Sequence, residues 1–351
     1  MNPYETVPPS GFWRTAVADK NFLDISELWV PKFRVTPKSM VSTYGSCFAQ
    51  HIGNALAARG FRWCRPEKRP FGLSDENAKK FNYDVFSSRT GNIYTATLLL
   101  QWLRWAFGEA KVPEELWEKD GRWIDPFRPN VEPGGFASKE ELLESRAVTL
   151  AAFRRSVEMA DIFVFTLGLT EQWLNADGGY EYPMCPGTIA GTFDPKVHQF
   201  HNLNYVEVQG ALNSAIKIMH RANPRVKIIL TVSPVPLTAT NSGKHVLVAT
   251  MQSKSILRAV AGHLADRRGR VDYFPSYEII NSPAFKGAFF EPNQRNVAMP
   301  GVRFVMDTFF RCQAETFGIN EGSGGASVSP NEKQNDLVCE EEILSKFGGQ
   351  K

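Results

Sequence analysis

The chain has 351 residues, 43% of them apolar, a formal net charge of +3 and five cysteines. So small a charge leaves no basic footprint for a nucleic-acid partner, and five scattered cysteines without any Cys-x-x-Cys spacing argue against both a disulfide framework and a zinc site. Residues 1–5 carry neither a basic nor an apolar leader pattern and no apolar run reaches membrane-span length, so the expectation is one α/β domain with elaborations, in the cytoplasm, with no membrane span.

Residues 1–35, with Pro3, Pro8, Pro9, Trp13, Trp29, Pro31 and Phe33, read as an irregular arm laid over the domain by its aromatics. Then Met40, Val41 and Tyr44 lead into Gly45 and Ser46, and Ala49, Ile52, Ala55 and Leu56 follow at helical spacing. The pattern predicts strand, sharp turn and a helix over 47–59 that ends at Gly60. A serine at such a helix start meets unpaired N–H groups and the positive end of the helix dipole, which would stabilise an attacking oxygen and a developing oxyanion. The same position suits an ordinary N-cap, and both readings stand at this point. Cys47, with His51 one turn further on the same face, is a second nucleophile reading or simply a small core residue.

Residues 65–92 are rich in charge and turn formers and are followed by an amphipathic helix bearing Leu98, Leu99, Trp102, Leu103 and Ala106. Residues 107–140 read as a surface excursion, after which Ser138 and Glu141 form a capping-box pattern opening a helix toward Ala160. The apolar run 161–166 is a buried parallel strand, and its exit passes through Gly168, Thr170 and Glu171. The aromatic, turn-rich stretch 174–205 belongs at the carboxyl edge of the sheet, where α/β ligand sites form; His198 and His201 would share a face on a helical turn. Beyond it come a helix over 206–222, a strand over 226–232 and an exit loop over 233–245. A helix over 253–266 follows, with Ile256, Leu257, Val260, Ala261 and Leu264 on one side and Lys254 and Arg258 on the other. The last strand starts at Val271, and a final helix holds Val302, Phe304, Val305, Phe309 and Phe310. Residues 318–351 read as a disordered tail with one weakly helical patch over 336–347.

The pentapeptide Gly45-Ser46-Cys47-Phe48-Ala49 is the one that names the GSCFA family, which resembles the SGNH (GDSL-like) esterases and acyltransferases. The stretches 166–171, 231–235 and 273–278 follow in the family's order. The resemblance implies a three-layer α/β/α domain over 36–317 around a central parallel sheet of about five strands in flavodoxin-like order. It implies Ser46 as nucleophile, an oxyanion site from the main chain of Ser46 or Cys47 and from Gly91-Asn92, and a third block at Gly168, where Thr170 and Glu171 stand in place of the usual Asn-Asp. The Asp and His expected before the final helix are replaced by Asn296 and Met299, neither of which is a base at neutral pH. His245 and His198, in segments leaving the same sheet edge, are the candidate substitutes. The expected substrate is a small-molecule or carbohydrate-linked acyl ester, with no metal and no cofactor. The alternative is a catalytically degenerate binding or scaffold protein that keeps the SGNH shape.

Overall fold

Three apolar strands alternate their side chains between two helical layers, and this alternation fixes the architecture. In the computed structural model, which describes residues 2–318 and 340–348, the elements run in chain order as β1 (Met40–Gly45), α1 (Ala49–Ala58), β2 (Arg62–Trp63), α2 (Asp75–Lys80), α3 (Ala96–Ala106), β3 (Trp117–Lys119), β4 (Arg122–Ile124) and α4 (Lys139–Met159). They continue with β5 (Ile162–Leu167), β6 (Glu171–Asn175), β7 (Tyr180–Tyr182), β8 (His198–Asn202), α5 (Tyr205–Ala222), β9 (Lys227–Val232), α6 (Val246–Arg267), β10 (Val271–Tyr273), α7 (Ser276–Asn281) and α8 (Met299–Phe317).

Five strands form one sheet in the order β2-β1-β5-β9-β10, and every adjacent pair is parallel. This is the three-layer α/β/α fold with flavodoxin-like strand order that the motifs implied. Tyr44, Phe163, Phe165, Ile228 and Leu230 face one core with α3, α4, α5 and α6. Val41, Ile162, Val164 and Ile229 face the other, with α1, α7, α8 and the N-terminal segment. That segment is a series of short turns whose Ile25, Trp29, Phe33 and Val35 are buried; Trp29 stacks on Phe309 with ring centroids 5.1 Å apart.

Three local expectations are corrected. Residues 198–202 are not a helical turn: β8 pairs antiparallel with β6, with His198 opposite Asn175 and His201 opposite Gln172. Residues three apart on a strand point to opposite faces, so His198 and His201 share none. The helix expected from residue 253 begins at Val246, because the His245 side chain caps it, its Nδ1 accepting from Leu247 N at 3.2 Å. Part of the expected tail is also structured. Gly318, in the left-handed conformation, ends α8, and residues 319–339 lie outside the described residues. Glu340–Phe347 then forms a 3-10 helix whose Ile343 and Leu344 pack against Tyr94, Leu169, Met184, Leu237 and Ala249.

Candidate active site

The turn after β1 is built for glycine alone. Gly45 pairs with Thr166 in the sheet and has φ of +136°, and a Cβ there would lie 2.3 Å from the Thr166 carbonyl oxygen. Ser46 N donates to that same oxygen at 3.1 Å. This bond occupies the Ser46 N–H, which therefore is not available as the oxyanion donor expected of it. Nor is Ser46 a side-chain cap: α1 begins at Ala49 with Phe48 at its N-cap and no side-chain cap bond. The Ser46 hydroxyl oxygen is buried and has no hydrogen-bond partner among the described residues. A buried polar group left unpaired is costly, and such exceptions point to a ligand or a reaction.

Two further stretches are tied to this corner through the main chain. Ile93 N donates to Gly45 O at 2.9 Å, while Gly168 N and Leu169 N donate to Tyr94 O at 2.9 and 3.1 Å. Gly168 packs so closely that an added Cβ would stand 3.1 Å from Ser46 Cβ and 3.0 Å from Tyr94 O. The stretches that carry Ser46, Asn92 and Gly168 are thus tied together at the carboxyl edge of β1 and β5. Thr170 is buried next to them, but its hydroxyl donates to Asn202 Oδ1 at 2.6 Å, so its proton is already committed. Glu171 lies at the rim, where its carboxylate accepts from the Thr240 hydroxyl; burial raises its pKa.

Neither candidate histidine is hydrogen-bonded to Ser46. His245 is exposed and occupied with capping α6. His198 is buried against Tyr182 and Phe193, its Nδ1 accepting from Asp194 N at 3.0 Å. His51, buried edge-on against Phe48, is pushed down to about 4 by burial and is neutral at physiological pH.

Cationic groups from two other elements reach Gly168 and the segment over it, although neither is hydrogen-bonded to Ser46. Lys254, expected on the polar side of its helix, is 2% exposed, and its Nζ donates to Gly168 O at 2.6 Å. Burial pushes its pKa down to about 8, with Glu341 and Cys47 opposing the fall. Its spacing held the clue: Lys254 stands three and seven residues before the buried Leu257 and Ala261, on the same stripe. The loop before α8 supplies the second cation. Phe290 and Val297 bridge antiparallel, and between them Arg295 reaches Glu341 at 3.7 Å and Glu342 at 4.0 Å. Where the family comparison led one to look for Asp and His, Asn296 accepts from Arg295 at 3.3 Å and Met299 packs against the core at the start of α8.

The acidic partners come from the far end of the chain. The Glu340 carboxylate accepts hydrogen bonds from both the side chain and the main chain of Asn92, and its Oε1 lies 3.0 Å from where a Cβ on Gly91 would be. Burial raises this carboxyl to about 7, the Asn92 bonds opposing the rise. Gly91 has φ of +68°, so both its conformation and the space beside it call for glycine. Glu341 is likewise raised by burial, with Arg295 and Lys254 opposing, and its main-chain N lies 3.4 Å from the Tyr94 hydroxyl. No motif in the sequence marked Lys254, Arg295, Glu340 or Glu341 as groups that meet Asn92, Tyr94 and Gly168.

The family model of the GSCFA family matches residues 40–309, which run from the first residue of β1 into α8. No curated protein and no solved structure matches the chain. The match covers well over half of the chain and contains Gly45, Ser46, Gly91, Asn92, Gly168, Lys254 and Arg295, and the chain belongs to the GSCFA family.

Proposed function

We propose that this protein is an acyl-ester-handling enzyme, an esterase or O-acyltransferase, in which Ser46 is the nucleophile and Lys254 takes its proton. The observation that carries this reading is the buried, unpartnered Ser46 hydroxyl, set beside a stretch that already holds a carboxylate. Asn92 grips Glu340 through main-chain and side-chain N–H groups, one residue from the bond that ties Ile93 to Gly45. Donors that hold a carboxylate there can hold the oxyanion of a tetrahedral intermediate.

The steps follow. Neutral Lys254 accepts the Ser46 proton as Oγ attacks the acyl carbonyl, and the carbonyl oxygen takes up negative charge against the Asn92 donors. Collapse of the intermediate expels the alcohol, which takes the proton from Lys254, and leaves an acyl ester on Ser46. Water or a second hydroxyl, activated by Lys254 in turn, then releases the acyl group, giving hydrolysis or transfer. The resemblance to SGNH enzymes supports a carbohydrate-linked acyl group as substrate. Cys47, Cys64, Cys185 and Cys312 are free thiols, and no helix among the described residues is long and apolar enough to cross a membrane.

The test is labelling with a fluorophosphonate probe and peptide mapping, on the wild type and on Ser46→Ala, Lys254→Met, His245→Ala and His198→Ala. The expected adduct is on Ser46, absent in Ser46→Ala and formed about 100-fold or more slowly in Lys254→Met, the usual size of a general-base contribution. Its rate should climb as pH rises through about 8, where Lys254 loses its proton. A rate that instead drops in one histidine variant and is unchanged in Lys254→Met would return the base to that histidine. The second reading, a binding protein that keeps the fold, is favoured by the histidines' engagement elsewhere. It prevails if Ser46 stays unlabelled even in Glu341→Lys, where a third cation repels the covering segment from Lys254 and Arg295.

A further inference from the structure

Glu340–Phe347 lies on the domain as a ligand would. One carboxylate is fully buried on Asn92; the next lies between Arg295 and Lys254; and Ile343 and Leu344 then cover Tyr94, Leu169, Met184, Leu237 and Ala249. Beyond them a cavity of ≈ 400 Å³ opens between Leu169, Met184 and Leu237 on the domain side and Leu344 and Phe347 on the other. Anionic head and apolar tail thus meet a cationic corner and an apolar wall in register. Two features mark the corner as a recognition site rather than an accident of packing. Lys254, which is buried, and Arg295, which is largely covered, come from separate elements, and Gly91 leaves room for the Glu340 carboxylate that any side chain there would fill.

We infer that Asn92, Lys254 and Arg295 form a carboxyl-binding subsite over Ser46, that Glu340–Phe347 is its built-in occupant, and that the substrate displacing this segment is an acidic amphiphile, a carboxyl group followed by an apolar group. The word substrate rests on the reading of Ser46 as nucleophile; the binding itself does not. In the closed arrangement Glu340 sits where the acid product of an ester cleavage would sit, so the segment acts as a tethered product mimic.

The experiment uses the full chain in two forms that lift the segment: Glu341→Lys, and Ile343→Asp with Leu344→Asp, both checked for a cooperative melt like the wild type's. A fluorescein-labelled peptide with the sequence of residues 340–347 is titrated against each and followed by fluorescence polarisation. Both lifted forms should bind it at least tenfold more tightly than the wild type, whose own segment competes. N-acetyl-Glu-Glu-amide should displace it, binding more tightly at pH 5 than at pH 8 because the docked carboxyls hold their protons, and adding Arg295→Gln should cost a further tenfold or more. A second readout is the fluorophosphonate rate at Ser46, expected to be at least tenfold faster in the lifted forms and slowed again by the peptide. Peptide binding without any labelling would uphold the subsite while removing the enzyme reading. A folded, lifted protein that fails to bind the peptide, or that binds it as tightly with Arg295→Gln added, would overturn the inference whatever Ser46 does.

Discussion

Two buried charged clusters in this protein are built in opposite ways. In the first, Asp125 lies between Arg128 and Arg146, its carboxylate taking bonds of 2.8 to 3.2 Å from both guanidinium groups and one of 3.0 Å from Phe127 N. The arginines spend their other donors on Thr149 and on the Pro113 and Glu115 carbonyls. Burial alone would raise Asp125, yet the two arginines hold it below the usual carboxylate range. In the second cluster, around Lys254, Arg295, Glu340 and Glu341, the Arg295 to Glu341 contact is 3.7 Å, both carboxyls are raised and the lysine is lowered. The first cluster is saturated and keeps its charges; the second pays the desolvation penalty without full compensation. A saturated cluster stabilises one arrangement, and an unsaturated one over a reactive serine is suited to exchanging its partner.

The comparison can be broken most decisively at Asp125. Asp125→Ala leaves two buried guanidinium groups without their counter-charge and should cost about 3–5 kcal/mol in chemical denaturation. Glu341→Ala should change global stability by less than about 1 kcal/mol, because Glu340–Phe347 can detach locally before the domain unfolds. Equal losses from the two would erase the distinction. Gly45→Ala should cost about 2–4 kcal/mol, from the positive φ and from a Cβ pressed on the Thr166 carbonyl, measured in the same denaturant series.

A pH series sharpens the contrast. Glu340 is raised from 4.5 to about 7 on docking, so the docked form holds the proton more tightly. That contribution to docking is complete below about pH 4.5 and is lost as pH rises through about 7. Glu341, raised as well, acts in the same direction. Hydrogen-exchange protection of residues 341–347 should therefore be greater at pH 5 than at pH 8, and Glu340→Gln should flatten the difference. Asp125, lowered by its arginines, contributes the other way: its stabilisation is present above its unfolded pKa and is lost in acid. The smallest effect is expected at Ser46. Its hydroxyl makes no bond among the described residues, so Ser46→Ala should leave stability within about 0.5 kcal/mol of the wild type while abolishing the adduct.

Much of this architecture was legible one stretch at a time. Apolar runs at β5 and β9 read as buried strands because a strand covered on both faces has no polar side. The glycine before Ser46 read as a tight turn because few other residues tolerate one. The misreadings share a cause. His198 and His201 sit in a polar, aromatic stretch whose strand character comes from pairing with β6, which local spacing does not report. Lys254 was assigned to solvent by its charge, although its position on α6 places it on the buried stripe. The segment Glu340–Phe347, short and acidic, cannot bury enough surface by itself to declare a structure, and acquires one against Tyr94 and Leu237.

Covalent neighbours and periodicity marked the strands β5 and β9 and the turn at Gly45, and the family resemblance implied the sheet of about five strands and the order of the stretches around Ser46, Asn92 and Gly168. Tertiary structure alone decided which charges meet there. Lys254 finds Gly168 across 86 residues of chain, and Glu341 finds Tyr94 across 247. Such pairings depend on where separate elements pack against one another, and an ionisable side chain shows its function only when burial and its partners set its charge.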